Sequence, residues 1–294
     1  MSKPRILHFL TPLPNVSPFD VNMAVDAGFV VASYTGLALG DIAGLTQDAM
    51  FSRPPQDAAK TVLFIGGRDA ALALDMADAA KRSMFPPFEV GVFADPSGAF
   101  TTAAAMVATV EQRLKKLGQS LAGKRVAVFG AKGVVGGIAG VIAAEAGATV
   151  TLVAHDQSGV VPKKAAEFGK RFNLNLAVAD GSTEAGRRAA LAAAEIALCC
   201  GKVGIQILSR GDLAAAPQLI LVADINAVPP LGVEGVSVKA DAAPIEGMKA
   251  VAIGALTVGN LKFQLQHKIL SRLHAAEKAL AIDFRDAYRL AQES

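Results

Sequence analysis

Short runs rich in β-branched residues alternate along the chain with longer Ala-rich stretches. A continuous apolar run bounded by turn residues marks a strand buried on both faces, as in a parallel sheet, and the Ala-rich stretches have the composition of crossover helices. In the first third the pattern predicts strands at Ile6–Leu10, Val30–Tyr34, Thr61–Ile65 and Val90–Phe93. Ser17-Pro18-Phe19-Asp20 supplies an N-cap, a proline at the first helical position and a carboxylate at the third. A helix therefore starts there and runs to about Ala27. Asp69–Phe85 reads as a helix stopped by Pro86-Pro87, and the loop Asp95–Phe100 leads into a helix over Thr101–Leu117.

A second series begins after Gly118–Lys124. Strands are predicted at Arg125–Phe129, Thr149–Ala154, Leu176–Ala179, Ile196–Cys200, Leu219–Ala223 and Val251–Ala255, with helices at Val135–Ala146, Lys163–Phe172 and Glu184–Ala194. That is the strand count of a Rossmann sheet. After Gly259 a long helix runs to about Leu280, followed by a short one over Phe284–Gln292. This pair is expected to pack back across the domain boundary. The fold class is α/β with two domains: an α/β domain over 1–118, completed by 270–294, and a doubly wound parallel Rossmann sheet over 119–269.

The densest chemical signal is the turn Gly130-Ala131-Lys132-Gly133-Val134-Val135-Gly136, set between a predicted strand and helix. Small residues there permit a tight turn and close approach of a pyrophosphate, and the helix start offers free N–H groups and the positive end of its dipole. Aligned on Gly133 and Gly136, the first fingerprint position holds Ala131, with Gly130 one residue earlier. Asp156 lies 20 residues beyond Gly136, close to where an acid accepts a ribose 2′-hydroxyl, which favours NAD. His155, Ser158, Lys163 and Lys164 nearby are equally the solvated start of a helix or partners for a 2′-phosphate. Use of both NAD and NADP is the expectation. Cys200 and Gly201, ending the fourth Rossmann strand, join the cofactor-binding candidates.

Four other polar segments fall where open α/β sheets bind ligands, beyond the carboxyl ends of strands. Asp95, Thr101 and Thr102 combine a carboxylate with two hydroxyls at a helix start, where Thr101 alternatively serves as N-cap. Asn226, in the loop Asp224–Gly232, would orient substrate or the nicotinamide amide, or stabilise the turn. Lys262 stands near the start of the long helix, and Asp20 and Asn22 on the first. No G-x-S-x-G elbow, H-E-x-x-H or Cys–His nucleophile signature occurs. The four histidines are scattered, which suits a hydride transfer that needs orientation more than a base.

Composition narrows the classes. The 294 residues are 52% apolar and 19% charged with a net charge of +3 and no long run of like charges, which excludes disorder and a nucleic-acid stripe. The start of the chain lacks a signal-peptide core and no apolar stretch reaches membrane-spanning length. Cys199 and Cys200 are adjacent, a poor geometry for a disulfide, and no zinc-site spacing occurs. A cytoplasmic protein without a metal, a membrane or a nucleic-acid partner is expected.

Several segments together resemble the methylene-tetrahydromethanopterin dehydrogenases of methylotrophic bacteria: Ser17-Pro-Phe-Asp-Val21, Phe64-Ile-Gly-Gly67, Phe100-Thr-Thr-Ala-Ala-Ala105, the run Val222–Gly232 and Ile253–Lys262. The likeness runs from near residue 5 to about 275. Thr11-Pro-Leu13, Phe93–Gly98 and His155-Asp156 are similar to the branch that accepts NAD or NADP. The resemblance implies oxidation of a methylene-pterin to its methenyl cation, hydride passing to C4 of the nicotinamide, in the oxidation of formaldehyde-level C1 units. It implies tetrahydromethanopterin as C1 carrier, a first domain that takes the pterin, a cleft shared with the Rossmann domain, and a homo-oligomer, trimer or hexamer. By position it assigns Lys262 as a substrate-orienting or electrostatic residue, with Asp20, Asn22, Asp95, Thr101, Thr102 and Asn226 toward substrate. A methylenetetrahydrofolate dehydrogenase, with the same reactive pterin end, and a non-catalytic dinucleotide sensor are the alternatives.

Overall fold

The computed structural model describes residues 3–293. Met1 and Ser2, the first residues of the segment read as lacking a signal-peptide core, and Ser294 lie outside it. In chain order the elements are β1 (Ile6–Leu10), α1 (Pro18–Asp26), β2 (Val30–Tyr34), α2 (Asp41–Phe51), β3 (Thr61–Ile65), α3 (Ala70–Arg82), β4 (Gly91–Ala94) and α4 (Ala99–Lys116). Then follow β5 (Arg125–Phe129), α5 (Val134–Glu145), β6 (Thr149–Ala154), α6 (Val160–Phe172), β7 (Leu176–Asp180), α7 (Glu184–Ala192) and β8 (Ile196–Cys199). The chain ends with α8 (Arg210–Ala214), β9 (Leu221–Asp224), β10 (Asp241–Pro244), β11 (Val251–Ile253), α9 (Ala255–Ala275), β12 (Ala281–Ile282) and α10 (Phe284–Gln292).

Two compact units result: the residues up to Thr101 with Phe263–Leu290, and Thr102–Lys262 with the residues from Ala291 on. The division falls inside α4 and α9 and again near the end of α10, whereas the sequence reading placed it at Gly118 and near residue 269. A helix that belongs in part to each unit carries no linker-like sequence to mark the change.

The first unit holds a parallel sheet in the order β12-β4-β3-β1-β2. Every residue of β3 and β4 is buried, so their sequences show no polar alternation. Phe9, Phe64 and Phe93, on neighbouring strands, form the ring core, with centroids 4.6 and 5.1 Å apart. Such aromatic pairs add about 0.5–1.5 kcal/mol beyond area burial. The Ser17 side chain accepts from Asp20 N at 3.3 Å and caps α1. Within this unit β12 adds to the sheet beside β4, and Phe284 of α10 meets Phe100 edge to face at 5.6 Å. The C-terminal segment thus returns to the unit that begins the chain.

The second unit holds a seven-stranded sheet in the order β10-β11-β9-β8-β5-β6-β7, six strands parallel and β10 antiparallel to β11. From β5 the chain winds outward through β6 and β7, then returns as β8 on the other flank of β5. That reversal between β5 and β8 is the topological switch point of a doubly wound sheet, where ligands bind beyond the carboxyl ends of strands. In α5 every residue from Gly136 to Ala143 is buried, so the helix reads as apolar all round instead of amphipathic.

Four elements escaped the sequence reading, each for a local reason. In α2, Ile42, Thr46, Ala49 and Met50 face inward at helical spacing, but Gly44 and Thr46 dilute the periodicity. The five-residue α8, closed by a Ser209–Asp212 capping box, is too short to show a period. In β10, Ala242 takes φ +52° and Pro244 ends the strand, a composition tolerated because it is an edge. β12 has only two residues.

Boundaries moved too. Helix α3 ends at Arg82, short of Phe85, with Ser83 as its C-cap and the Ser83 hydroxyl donating to the Ala79 carbonyl at 2.8 Å. Helix α9 starts at Ala255, before Gly259, and stops at Ala275, short of Leu280. The Leu280 carbonyl there accepts from Val92 N at 2.8 Å, holding the chain for β12.

Candidate functional site

The glycine turn sits where β5 meets α5, at the switch point. Gly130 has φ +78°, and a Cβ on it would lie 2.4 Å from the carbonyl carbon and oxygen of Cys200. A Cβ on Gly136 would meet the Gly130 oxygen at 2.6 Å. Only glycine fits either place, which is how the turn and the next strand end stay in van der Waals contact. Ala131 is fully buried beneath the turn, so the left-handed bend that a first fingerprint glycine would make is made by Gly130. Gly133 is the N-cap of α5 and, lacking a side chain, offers no acceptor to the first turn at Val134 and Val135. That leaves backbone N–H groups of the helix start available to an anion.

Asp156, just beyond β6, closes one side. Its Oδ2 lies 2.7 Å from Lys132 Nζ and 3.2 Å from His155 Nε2. Its Oδ1 accepts from Ser158 N at 3.1 Å and from the Ser158 hydroxyl. The Lys132 ammonium, and after it Ser158, hold the Asp156 carboxyl far below the usual carboxylate range. Lys164 Nζ donates to the carbonyls of Lys132 (2.6 Å) and Gly133 (3.1 Å), bracing the turn from α6.

A cavity of about 710 Å³ opens over these strand ends, lined by Phe129, Gly130, Lys132, Gly133, His155, Gly181, Ser182, Arg187, Cys200, Gly201, Lys202 and Ile207 among others. Three cations line it and, among the described residues, no carboxylate does. The volume suits a nucleotide-sized ligand, and the charge suits an anionic one. A dinucleotide fits these residues on three counts: the glycine cradle that a Cβ would fill, the uncapped helix start and the cationic wall.

The sequence reading missed Gly181, Ser182, Arg187 and Lys202 in this wall. Gly181 and Ser182 follow β7, where the strand-end rule would have found them. Arg187 comes from α7 with no local signal; its Nε is buried without a hydrogen-bond partner, 3.9 Å from Asp212 Oδ2. Cys200 lines the cavity while Cys199 lies beneath it, both thiols free and buried. Burial, and then the Asp224 charge, push both thiols well above their ordinary range.

The remaining candidates are dispersed. Asp95 is fully buried and accepts from Phe100 N (2.9 Å), Thr101 N (3.1 Å) and Thr101 Oγ1 (2.7 Å), so it caps α4 with Thr101 as its partner. Thr102 is half-buried one residue on. Asn226 is 3% exposed. Its Oδ1 accepts from Gly204 N and Val228 N, and its Nδ2 donates to Pro230 O at 3.0 Å. That is a turn-stabilising role. Asp20 is buried and accepts from Gln266 Nε2 of α9 at 2.7 Å. Asn22, two residues on, faces solvent, so α1 separates the two. Lys262 is half-buried on α9, one turn before Gln266. Among the described residues no group of His, Cys, Asp or Glu is placed to hold a metal ion, and no helix is long and apolar enough to cross a membrane.

Comparisons with known proteins agree with this architecture. The fold matches shikimate 5-dehydrogenase from Listeria monocytogenes with a TM-score of 0.50 at 12% identity, covering 94% of this chain and 93% of that one, a likeness of fold alone. Residues 18–97 match the family model described as methylene-tetrahydromethanopterin dehydrogenase, N-terminal. The chain is 30% identical over 294 residues to the bifunctional protein MdtA of Methylorubrum extorquens, covering 100% of this chain and 99% of that protein. It is 49% identical over 290 residues to the NAD(P)-dependent methylenetetrahydromethanopterin dehydrogenase of the same organism, covering 98% of each. With nearly the whole length aligned at that identity, the chain belongs to the methylenetetrahydromethanopterin dehydrogenase family.

Proposed function

We propose that this chain oxidises methylene-tetrahydromethanopterin to the methenyl cation, passing hydride to either NAD or NADP, in the oxidation of formaldehyde-level C1 units. Family membership supplies the reaction class. The observation that carries the nucleotide half is the cation-lined cavity over the turn at Gly130–Gly136. A bound nicotinamide nucleotide supplies the two-electron acceptor. The reacting methylene carbon lies between two nitrogens whose lone pairs take up positive charge as hydride leaves. No proton has to be abstracted and no strong base is required, so orientation and electrostatics supply the acceleration.

The chain's own contribution is placement. Backbone N–H groups from Ala131 to Gly136 would hold the diphosphate, Asp156 would accept the ribose hydroxyl, and Cys200 with Gly201 would bound the nicotinamide side. We assign 119–269 to the nucleotide and 1–118 with 270–294 to the pterin. Lys262 is assigned to orienting substrate, and Asp20, Asn22 and Thr102 to contacting it. Asp95, Thr101 and Asn226 would act by shaping the loops that carry them. The protein would work as a homo-oligomer in the cytoplasm, where its two free thiols stay reduced.

Formation of reduced nucleotide is measured with methylene-tetrahydromethanopterin and methylene-tetrahydrofolate, each with NAD and with NADP. Turnover of the methanopterin carrier with both nucleotides is the expected result. Turnover of the folate carrier alone moves the assignment to a folate dehydrogenase, and nucleotide binding without turnover makes the chain a sensor.

A further inference from the structure

We propose that Lys132 is the cofactor-discriminating residue of this site: its ammonium neutralises Asp156 and receives the 2′-phosphate of NADP, so one pocket accepts both nucleotides. The inference rests on the reading of the Gly130–Gly136 turn as the dinucleotide site. A carboxylate at the end of the second Rossmann strand accepts the two ribose hydroxyls of NAD, but repels a phosphate esterified at the 2′ position. Asp156 stands at that place and is ionised, which alone would exclude NADP.

The geometry supplies the counter-charge. Lys132 Nζ lies 2.7 Å from Asp156 Oδ2 and 3.5 Å from Ser158 Oγ, on the rim of the same cavity. Any group bonded to Asp156 is therefore within one further hydrogen bond of that ammonium. The ion pair is more than a third exposed on each side. Such a pair is worth little as a stabilising contact, so exchanging the carboxylate for a phosphate costs little.

Two neighbouring cations, Lys164 and Arg187, are already engaged. Lys164 Nζ is engaged by the carbonyls of Lys132 and Gly133. Arg187 lies on α7 with its guanidinium toward Asp212. His155 contacts the same Asp156 oxygen at 3.2 Å and would assist. A lysine inside the glycine turn moves on a flexible four-carbon stem while the backbone around it stays fixed.

The test is direct binding, independent of turnover. NADH and NADPH are titrated by their fluorescence, and 2′,5′-ADP and 5′-ADP as competitors, into the full chain and into Lys132→Met and Lys132→Arg. Lys132→Met should raise the NADPH-to-NADH ratio of dissociation constants at least tenfold and remove any advantage of 2′,5′-ADP over 5′-ADP. Lys132→Arg should restore most of both. A parallel loss of both nucleotides in Lys132→Met would mean that the lysine only supports the turn, and no change would mean that it is idle. Either result overturns the proposal while leaving the dinucleotide site standing. If the unmodified chain binds neither nucleotide, the underlying site assignment fails instead.

Discussion

At Cys200 burial and chemistry pull in opposite directions. The thiol stands in the wall of the cavity over the glycine turn, yet burial and the Asp224 charge hold it protonated far above neutral pH. Reaction with thiol reagents requires the thiolate. Cys199 and Cys200 should therefore stay unmodified by a disulfide reagent at pH 8 in the folded protein and react stoichiometrically after unfolding. Rapid labelling of the native chain would refute the inert-wall reading. Lys262 is the opposite case, a half-buried cation proposed to act on substrate through its charge. Lys262→Met should lower kcat at least tenfold with dinucleotide affinity little changed, read by steady-state kinetics and nucleotide titration; unimpaired kcat would remove it from the substrate site. At this scale the sequence identified residue types well but not their partners. Asp95 and Asn226 were legible as polar residues at strand ends, whereas their saturation by Thr101 and by the 204–230 backbone is a property of folded loops.

Among elements, the β5–turn–α5 unit is the most constrained. Gly130→Ala places a methyl against the Cys200 backbone and forces an L-residue into the left-handed region, which costs about 1–2 kcal/mol even before the collision. Nucleotide affinity should fall at least tenfold. Gly133→Ala, whose Cβ would meet only the Gly130 oxygen at 3.3 Å, should change it far less, so equal effects would count against the cradle. Helix α4 gives a stability test. Asp95→Ala strips the buried acceptor from three donors at its start and should cost at least about 2 kcal/mol in urea denaturation. Strands were legible because β1, β2, β3, β5 and β6 are short, mostly apolar or β-branched segments bounded by turn residues. Helix ends were less so: Ser83 closes α3 through a hydroxyl bond to the Ala79 carbonyl that composition does not announce, and the segment after α9 is drawn into the sheet through the Leu280 carbonyl and the distant Val92 N.

Over the whole molecule, a ligand that binds only the folded state adds stability by mass action, about 2.7 kcal/mol at a hundred times its dissociation constant. NAD and NADP should each raise the melting temperature, and the rise should largely vanish in Gly130→Ala; an equal rise there would place nucleotide binding elsewhere. The division of the chain inside α4 and α9 had no trace in composition. What the sequence alone determined is what local physics encodes: an α/β chain, a parallel sheet of buried strands, a glycine turn fit only for a close backbone approach, and an acid 20 residues beyond it. The tertiary structure decided which strands are neighbours, that β8 returns beside β5 to make the switch point, and that Lys132 meets Asp156 while Arg187 and Lys202 join the same wall. Periodicity and turn chemistry depend on residues within a turn or two of one another. Charge pairing and cavity shape depend on which distant segments the hydrophobic core brings together.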